Sequence, residues 1–494
     1  MQTIRFKLNG AQIEARDVDP NTTLLSWLRQ QGLTGTKEGC SEGECGACAV
    51  LMLCPDGAGA SRYQPLNSCL LLLASAADRE LLSVEGIHAG AAGSFEAAGP
   101  LGAAGPHPVQ QAMIETAGSQ CGYCTPGFVV SLFAEYYRKD REATGFDRES
   151  VGGNLCRCTG YRPIVSAGHS LPVVQPADAY AARLSAAPPK LKPLELSYTT
   201  PEAQERLLFR PTQLSDAVNY LADHPDAVLI SGGTDVVVEL NQRHRRLQRA
   251  LLLEGVEGLH GISRSEAHIE IGAGVSLGEI EAELSADVPI FGQLLPLFSS
   301  RLIRARATLG GNLATASPIG DSPPVLLALN AELVLVSKRG QRSLPLAEFF
   351  LGYRQTARAA DEIIRSVRIP LPLPTLTKFY KVSKREQDDI STVAAAFALD
   401  LEGEEIKRAR LCFGGVAATP ARASAAEAQL IGRAWDRASL DAALPTLAAA
   451  FKPLSDQRGS LEYRQRMLTK LFEKFWFETA NDSPRAGQSE EPAA

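Results

Sequence analysis

The chain has 494 residues, 45% hydrophobic and 21% charged, with a formal net charge of -6. That length suits roughly three or four folded units, and the mild acidity argues against nucleic acid or an anionic membrane as partner. No apolar run approaches the ~18–20 residues of a membrane-spanning helix. Met1 to Phe6 has no basic stretch leading into an apolar one, so no secretory signal is expected and the cytoplasm is the expected location.

Thr3 to Leu8 alternates apolar and polar residues, Asn9-Gly10 is a two-residue hairpin turn, and Gln12 to Val18 returns as a second strand. Asn21 or Thr22 is placed to cap a helix through Leu24, Leu25, Trp27 and Leu28. The Gly39–Cys48 loop follows, and it opens the first of two cysteine sets. Nine of the ten cysteines lie at or before Cys158, and close neighbours such as Cys156 and Cys158 are poor disulfide partners. Thiolate ligation is the better reading.

Cys40-x4-Cys45-x2-Cys48, closed by Cys69 from a separate element, is the plant-type [2Fe–2S] spacing. Four thiolates must converge on a small core, so the loop must curl, and Gly39, Gly43 and Gly46 supply the backbone freedom. A structural zinc site is the bland alternative, but zinc sites pair short two-ligand knuckles. Cys54 is spare and reads as a small buried hydrophobe.

Residues 89 to 105 are Ala/Gly-rich and read as a flexible linker. Helical patterns follow over 108–117 and 125–138, the second with Phe128, Val129, Leu132, Phe133 and Tyr136 as its stripe. Cys121-x2-Cys124 and Cys156-x-Cys158 form the second set, which taken alone also suits zinc or a dithiol redox pair.

Residues 176 to 205 hold several prolines and read as a crossing between domains, after which the pattern becomes α/β. Ile230-Ser231-Gly232-Gly233-Thr234-Asp235 sets a Gly-Gly turn after an apolar strand, which suits a pyrophosphate but is common in strand-to-helix turns. The glycines of Ile271–Val275 are open to the same phosphate reading or to simple tight packing. Thr308 to Asp321 is crowded with small and hydroxyl residues that let a phosphate-bearing ligand approach the backbone. Neither stretch is a Rossmann fingerprint. Lys378 to Thr479 mixes strands with two helices, and the polar tail from Asn481 is expected to be disordered.

The stretches Gly118–Phe128 and Gly153–Tyr161, with both cysteine sets in this order, resemble the iron–sulfur part of the xanthine oxidase family of molybdenum hydroxylases. Lys381–Ile390 and Ser455–Arg464 are similar to that family's flavin unit, so the resemblance spans nearly the whole chain apart from the linkers and tail. It implies a multidomain α+β protein. The units would be a β-grasp ferredoxin-like domain (1–88), an all-α [2Fe–2S] domain (89–175) and a linker (176–204). An α/β FAD-binding domain of the vanillyl-alcohol-oxidase type (205–375), an α+β flavoprotein domain (376–480) and the tail (481–494) would follow.

The resemblance also implies site roles. Cys40, Cys45, Cys48 and Cys69 would hold one [2Fe–2S] cluster, and Cys121, Cys124, Cys156 and Cys158 the other. Ile230, Ser231, Gly232, Gly233, Thr234 and Asp235, with Thr308, Gly311, Asn312, Thr315 and Ser317, would hold the phosphates and ribityl chain of FAD. Asp321, Ile364 and Lys381 would also contact the flavin, and Phe298 would shield its ring, although a plain core residue is the alternative there. Gln120 and Cys158 would face the molybdopterin of a partner. The implied activity is an electron relay, with no catalytic residue in this chain, from a large molybdenum subunit that hydroxylates a purine to NAD+ as acceptor. An (αβ)2 heterotetramer would be the assembly. A hydroxylase of aldehydes or N-heterocycles, or a free-standing NADH-dependent reductase, is the rival reading.

Overall fold

A computed structural model describes residues 3–88, 105–175 and 178–480. The Ala/Gly-rich linker over 89–104 and the tail from Asn481 lie outside the described residues. β1 (Thr3–Leu8) and β2 (Ala11–Arg16) form a hairpin in which Asn9 and Gly10 both take positive φ, 50° and 86°, as a primed two-residue turn demands. β3 (Ala49–Pro55), β4 (Ser61–Asn67) and β5 (Glu80–Leu82) complete a five-stranded β-grasp sheet in the order β2-β1-β5-β3-β4. The helix Leu24–Gln30 buries Leu24, Leu25 and Leu28. Its cap is Thr23, whose hydroxyl accepts the Ser26 N–H, and neither Asn21 nor Thr22. Asn21 is used elsewhere: its side chain both accepts from and donates to the Leu247 backbone.

Helices Pro108–Glu115, Thr125–Tyr136 and Arg162–His169 build the second unit. Thr125–Tyr136 is buried nearly all round, because Phe128, Leu132 and Phe133 share one apolar cluster with Leu51 and Leu53 of β3 and Tyr63 of β4. The two cysteine-bearing units therefore have a common core.

Segment 178–204 is more ordered than its prolines suggest. It carries the helix Ala179–Arg183 and β6 (Leu194–Thr199), which pairs antiparallel with β7 (Glu205–Arg210). The cause is tertiary: buried Tyr180 packs on Phe133 and its hydroxyl donates to Gly86 O at 2.6 Å. With β8 (Val228–Ile230) and β9 (Arg249–Leu252) these strands form a sheet ordered β6-β7-β9-β8. A second sheet uses β10 (Ile262–Arg264), β11 (His268–Gly272), β12 (Glu332–Ser337) and β13 (Gly340–Pro345). β14 (Phe350–Gly352) and β15 (Gln355–Thr356) pair separately, and β16 (Ile363–Pro370) enters the second sheet between β11 and β12.

The last unit is the antiparallel sheet β17 (Leu376–Val382), β18 (Val393–Glu402), β19 (Glu405–Gly414) and β20 (Ala421–Arg422). It carries three helices, Ser424–Ala428, Arg437–Ala448 and Leu461–Thr479, and the first is too short to show a helical period in sequence. β18 explains the join to the flavin unit. Its period of two puts Ala394, Ala396 and Ala398 in one cluster with Val325 and Leu326 of the helix Ser322–Ala328. The opposite face sends Phe397 against Phe472 and Phe475. Small residues on one face admit a helix; each buried phenylalanine on the other is worth about 2 kcal/mol.

Candidate functional site

The first cysteine set sits in the loop before β3 and in the single helical turn Ser68–Leu70 after β4. Ser41, Gly43 and Gly46 take φ of 56°, 89° and 64°, which curls the loop. Gly39 plays another part: a Cβ there would stand 2.8 Å from Cys45 Sγ, so it is needed for clearance and not for a left-handed turn. The backbone N–H groups of Glu42 and Cys45 point at Cys40 Sγ, at 3.5 and 3.4 Å. Asn67 ties the two arms together, donating to Gly43 O at 2.8 Å with its oxygen 3.6 Å from Cys48 Sγ.

The thiols pair two and two, Cys40 with Cys45 and Cys48 with Cys69. The hydrogen bond from Cys45, helped by the loop N–H groups, outweighs burial and brings the Cys40 thiol down to about 5. Among the described residues no group of three or more His, Cys, Asp or Glu is arranged around a single metal ion. Paired thiols with N–H groups on sulfur fit a binuclear cluster, in which each iron takes two cysteines, better than one zinc.

The second set repeats the pairing with Cys121 against Cys158 and Cys124 against Cys156. Gly122 at φ 82° turns the chain so that Cys124 stands at the N-terminus of helix Thr125–Tyr136. Cys156 Sγ lies 3.2 Å from the Thr159 hydroxyl and accepts the Thr159 N–H at 3.5 Å. Burial pushes its thiol up, but these bonds prevail and hold it below the usual range. Cys121, Cys158 and Gln120 are exposed, and Tyr123, Leu155 and Tyr161 stand exposed near them in sequence (49%, 41% and 39%).

The two sets are joined directly. Leu155 N–H, beside Cys156, donates to Cys45 O at 3.0 Å, and Asn154 Nδ2 donates to Gly46 O at 3.2 Å. Close approach is enforced by glycine, since a Cβ on Gly46 would stand 2.4 Å from Gly153 O.

In the flavin unit, Ile230 ends β8 and the turn from Ser231 leads into the helix Val236–Gln242. Gly232 allows no side chain, because a Cβ would sit 1.8 Å from Arg306 O; Gly233 has φ 81°. Thr234 follows, and the Asp235 side chain is exposed and does not cap the helix. Arg306 Nε in turn donates to Gly232 O at 3.4 Å, which brings this turn against the residues just before Thr308. Thr308 caps the helix Leu309–Ala314 by accepting the Gly311 N–H at 3.1 Å. Asn312 Oδ1 is buried without a hydrogen-bond partner, as is Ser322 Oγ. Thr315 donates to Asn312 O at 2.9 Å, and Ser317 accepts the Ile319 N–H.

Asp321 and Lys381, far apart in sequence, form a buried pair at 2.9 Å; Lys381 also donates to Leu297 O, next to Phe298, at 2.8 Å. Phe298 is half-buried against the main core, and Ile364 lies within that core on β16. Gly272 and Gly274 lie within packing distance of Leu259 O, which is the tight-packing reading of that motif. An orphaned buried amide oxygen needs a hydrogen-bond donor, and a hydroxyl-bearing ligand such as FAD, through its ribityl chain, fits it.

Four family models match the chain: the 2Fe-2S iron-sulfur cluster binding domain over 6–73, the [2Fe-2S] binding domain over 96–169, the FAD binding domain in molybdopterin dehydrogenase over 201–372, and the CO dehydrogenase flavoprotein C-terminal domain over 378–479. The chain belongs to the molybdenum hydroxylases. Similar curated proteins include a xanthine dehydrogenase of Emericella nidulans, 32% identical over 96% of this chain and 38% of the relative. Xanthine dehydrogenase 2 of Arabidopsis thaliana is 31% identical over 96% and 40%, and a nicotinate hydroxylase of Emericella nidulans is 28% identical over 96% and 40%. The chain spans about two fifths of the length of the curated relatives it matches. Among solved structures, reconstituted CO dehydrogenase from Oligotropha carboxidovorans has a TM-score of 0.52 at 29% identity, covering 56% of this chain and 96% of that one. Quinoline 2-oxidoreductase from Pseudomonas putida 86 gives 0.52 at 28% identity with the same coverage.

This molybdenum hydroxylase chain also contains functional-looking contacts that motif reading passed over. Glu254 is buried between Arg79 of the first unit and Arg306 and Arg210 of the flavin unit, at 3.2, 2.9 and 3.7 Å. Burial pushes its carboxyl up, but the three guanidiniums prevail and hold it at about 2.

Proposed function

We propose that this chain is the iron–sulfur and FAD subunit of a cytoplasmic xanthine dehydrogenase, passing electrons from a purine-hydroxylating molybdenum subunit to NAD+. The observation that carries the reading is the bond from Leu155 N–H to Cys45 O, which links two paired-thiol sites in series. The 32% identity to a xanthine dehydrogenase over 96% of the chain supports the substrate class. Bound FAD would exchange single electrons with a cluster and a hydride with a nicotinamide, which is why a flavin stands between the two kinds of carrier.

The chain's own residues bind and orient. Cys40, Cys45, Cys48 and Cys69 hold one cluster, and Cys121, Cys124, Cys156 and Cys158 the other. Ile230 to Asp235, with Thr308, Gly311, Asn312, Thr315 and Ser317, cradle the phosphates and ribityl chain. Phe298 covers the ring and keeps water from it, while Asp321, Ile364 and Lys381 line the same side. Gln120 and Cys158 face the partner's molybdopterin, within an exposed rim that includes Tyr123, Leu155 and Tyr161. The assembly is an (αβ)2 heterotetramer. A second reading, the same subunit of an N-heterocycle hydroxylase, is favoured by the likeness to the nicotinate hydroxylase and to quinoline 2-oxidoreductase. The substrate is chosen on the partner chain.

Dye reduction tests the reading. The isolated, FAD-replete chain should reduce an artificial acceptor with NADH and should not oxidise a purine; purine oxidation should return when the molybdenum subunit is added. Purine activity in the isolated chain would sink the relay, and no NADH activity would sink NAD+ as acceptor.

A further inference from the structure

One helix of the flavin unit touches both the flavin turn and the first cysteine site. Val236–Gln242 starts directly after the Ser231–Asp235 turn. A Cβ built on Gly233 in that turn would lie 3.3 Å from Leu70 O, the carbonyl next to Cys69. At the other end of the helix, Asn241 Nδ2 donates to Ser41 O at 2.8 Å and to Cys69 O at 2.9 Å. Gln242 Nε2 donates to Cys40 O at 2.7 Å. We propose that Asn241 and Gln242 are positioning residues of the first cysteine site, holding its ligand loop from the flavin side and setting the potential of the cluster carried there. This rests on the reading of Cys40, Cys45, Cys48 and Cys69 as cluster ligands.

Two features separate this arrangement from plain adhesion between units. Asn241 spans the two arms of the site: Ser41 belongs to the loop of the Cys40–Cys45 thiol pair, and Cys69 to the other pair. One amide thus ties the two pairs together from the flavin side, as Asn67 does from within the first unit. The second feature is a chain of polarised bonds. The Ser41 carbonyl that accepts from Asn241 shares its peptide group with the Glu42 N–H, and that N–H points at Cys40 Sγ. A donor on the carbonyl strengthens the N–H on the far side of the same peptide. Hydrogen bonds to the sulfurs help set a cluster's potential, because they favour the more negative, reduced state. Removing the amide should therefore weaken a bond to sulfur two links away and lower the potential.

The test uses the full chain with Asn241→Leu, near-isosteric and without a donor, and Gln242→Met, at an exposed position that folding should tolerate. Each is assayed for iron, FAD, the low-temperature paramagnetic spectrum of each cluster, and each cluster's midpoint potential. The first cluster should shift to a more negative midpoint with altered g-values, more in Asn241→Leu than in Gln242→Met. The second cluster and FAD content should stay as in the wild type. Selective loss of the first cluster from Asn241→Leu, with the second cluster and FAD retained, also supports the proposal. An unchanged midpoint and spectrum in Asn241→Leu overturns it; if that variant does not fold, an unchanged Gln242→Met does so. A wild-type chain that lacks the first cluster's iron and signal while keeping the second fails differently, since it removes the ligand reading itself.

Discussion

The two cysteine sites use the same number of thiols in the same two-and-two pairing, and their surroundings differ. At the first, Cys48 and Cys69 are each 2% exposed and flavin-unit side chains donate to the backbone of the ligand loop. At the second, Cys121 and Cys158 are exposed and the neighbouring Tyr123, Leu155 and Tyr161 leave large apolar surface open. Cys40 and Cys45 of the first site are half-buried, so its loop keeps one side near solvent while flavin-unit side chains hold the other. A site with two thiols at the surface can hand electrons to a second molecule. The two sites thus differ in exposure by degree, with the bond between Leu155 and Cys45 connecting the two environments.

The sharpest way to break that comparison is to remove one thiol from each site. Cys48→Ser and Cys158→Ser should each abolish one paramagnetic signal and reduce iron from about four atoms to about two per chain. Only Cys48→Ser should also lower thermal stability, because Cys48 is buried in the cluster that the first unit shares with Ile230 and Val237 of the flavin unit, whereas Cys158 is exposed. Equal loss of stability in both would mean that the exposed cysteine is as structural as the buried one.

The next effect tests what holds the first unit against the flavin unit. Glu254 holds Arg79 against the flavin unit, and its carboxyl lies at about 2 when folded, against an ordinary 4.5. A depressed carboxylate stabilises the fold above its unfolded value, so this contribution is complete above 4.5 and is lost as the pH falls toward about 2. The difference corresponds to about 3 kcal/mol. Denaturant unfolding of Glu254→Gln should show a loss of that order at neutral pH and a flatter acid limb than the wild type.

A smaller change addresses the flavin cradle. Asn312→Leu removes the orphaned amide oxygen and should weaken FAD retention about tenfold, near 1.4 kcal/mol, with both cluster signals intact. Equilibrium dialysis of FAD measures it, and full retention would move the ligand away from the helix Leu309–Ala314.

What the sequence determined by itself is local. Cysteine spacing declares thiolate ligation because three of the four first-site ligands must lie on one short loop. Asn9-Gly10 declares its hairpin because few residue pairs tolerate two positive φ values. Gly43 and Gly46 were legible for the same backbone reason, whereas Gly39 was assigned a turn when its constraint is the Cys45 sulfur beside it. The Thr23 cap was misplaced by one or two residues, since any of three neighbouring polar residues could serve and only the docking of Asn21 on Leu247 selects one. The strand Leu194–Thr199 lay hidden in a proline-rich stretch because its stability comes from pairing with β7. Asn241, Gln242 and Glu254 carry no motif, for their partners lie from about forty to about two hundred residues away in sequence. Only the tertiary structure could decide them, because a hydrogen bond or a buried charge cluster depends on where distant backbone arrives, and a local pattern does not encode that arrival.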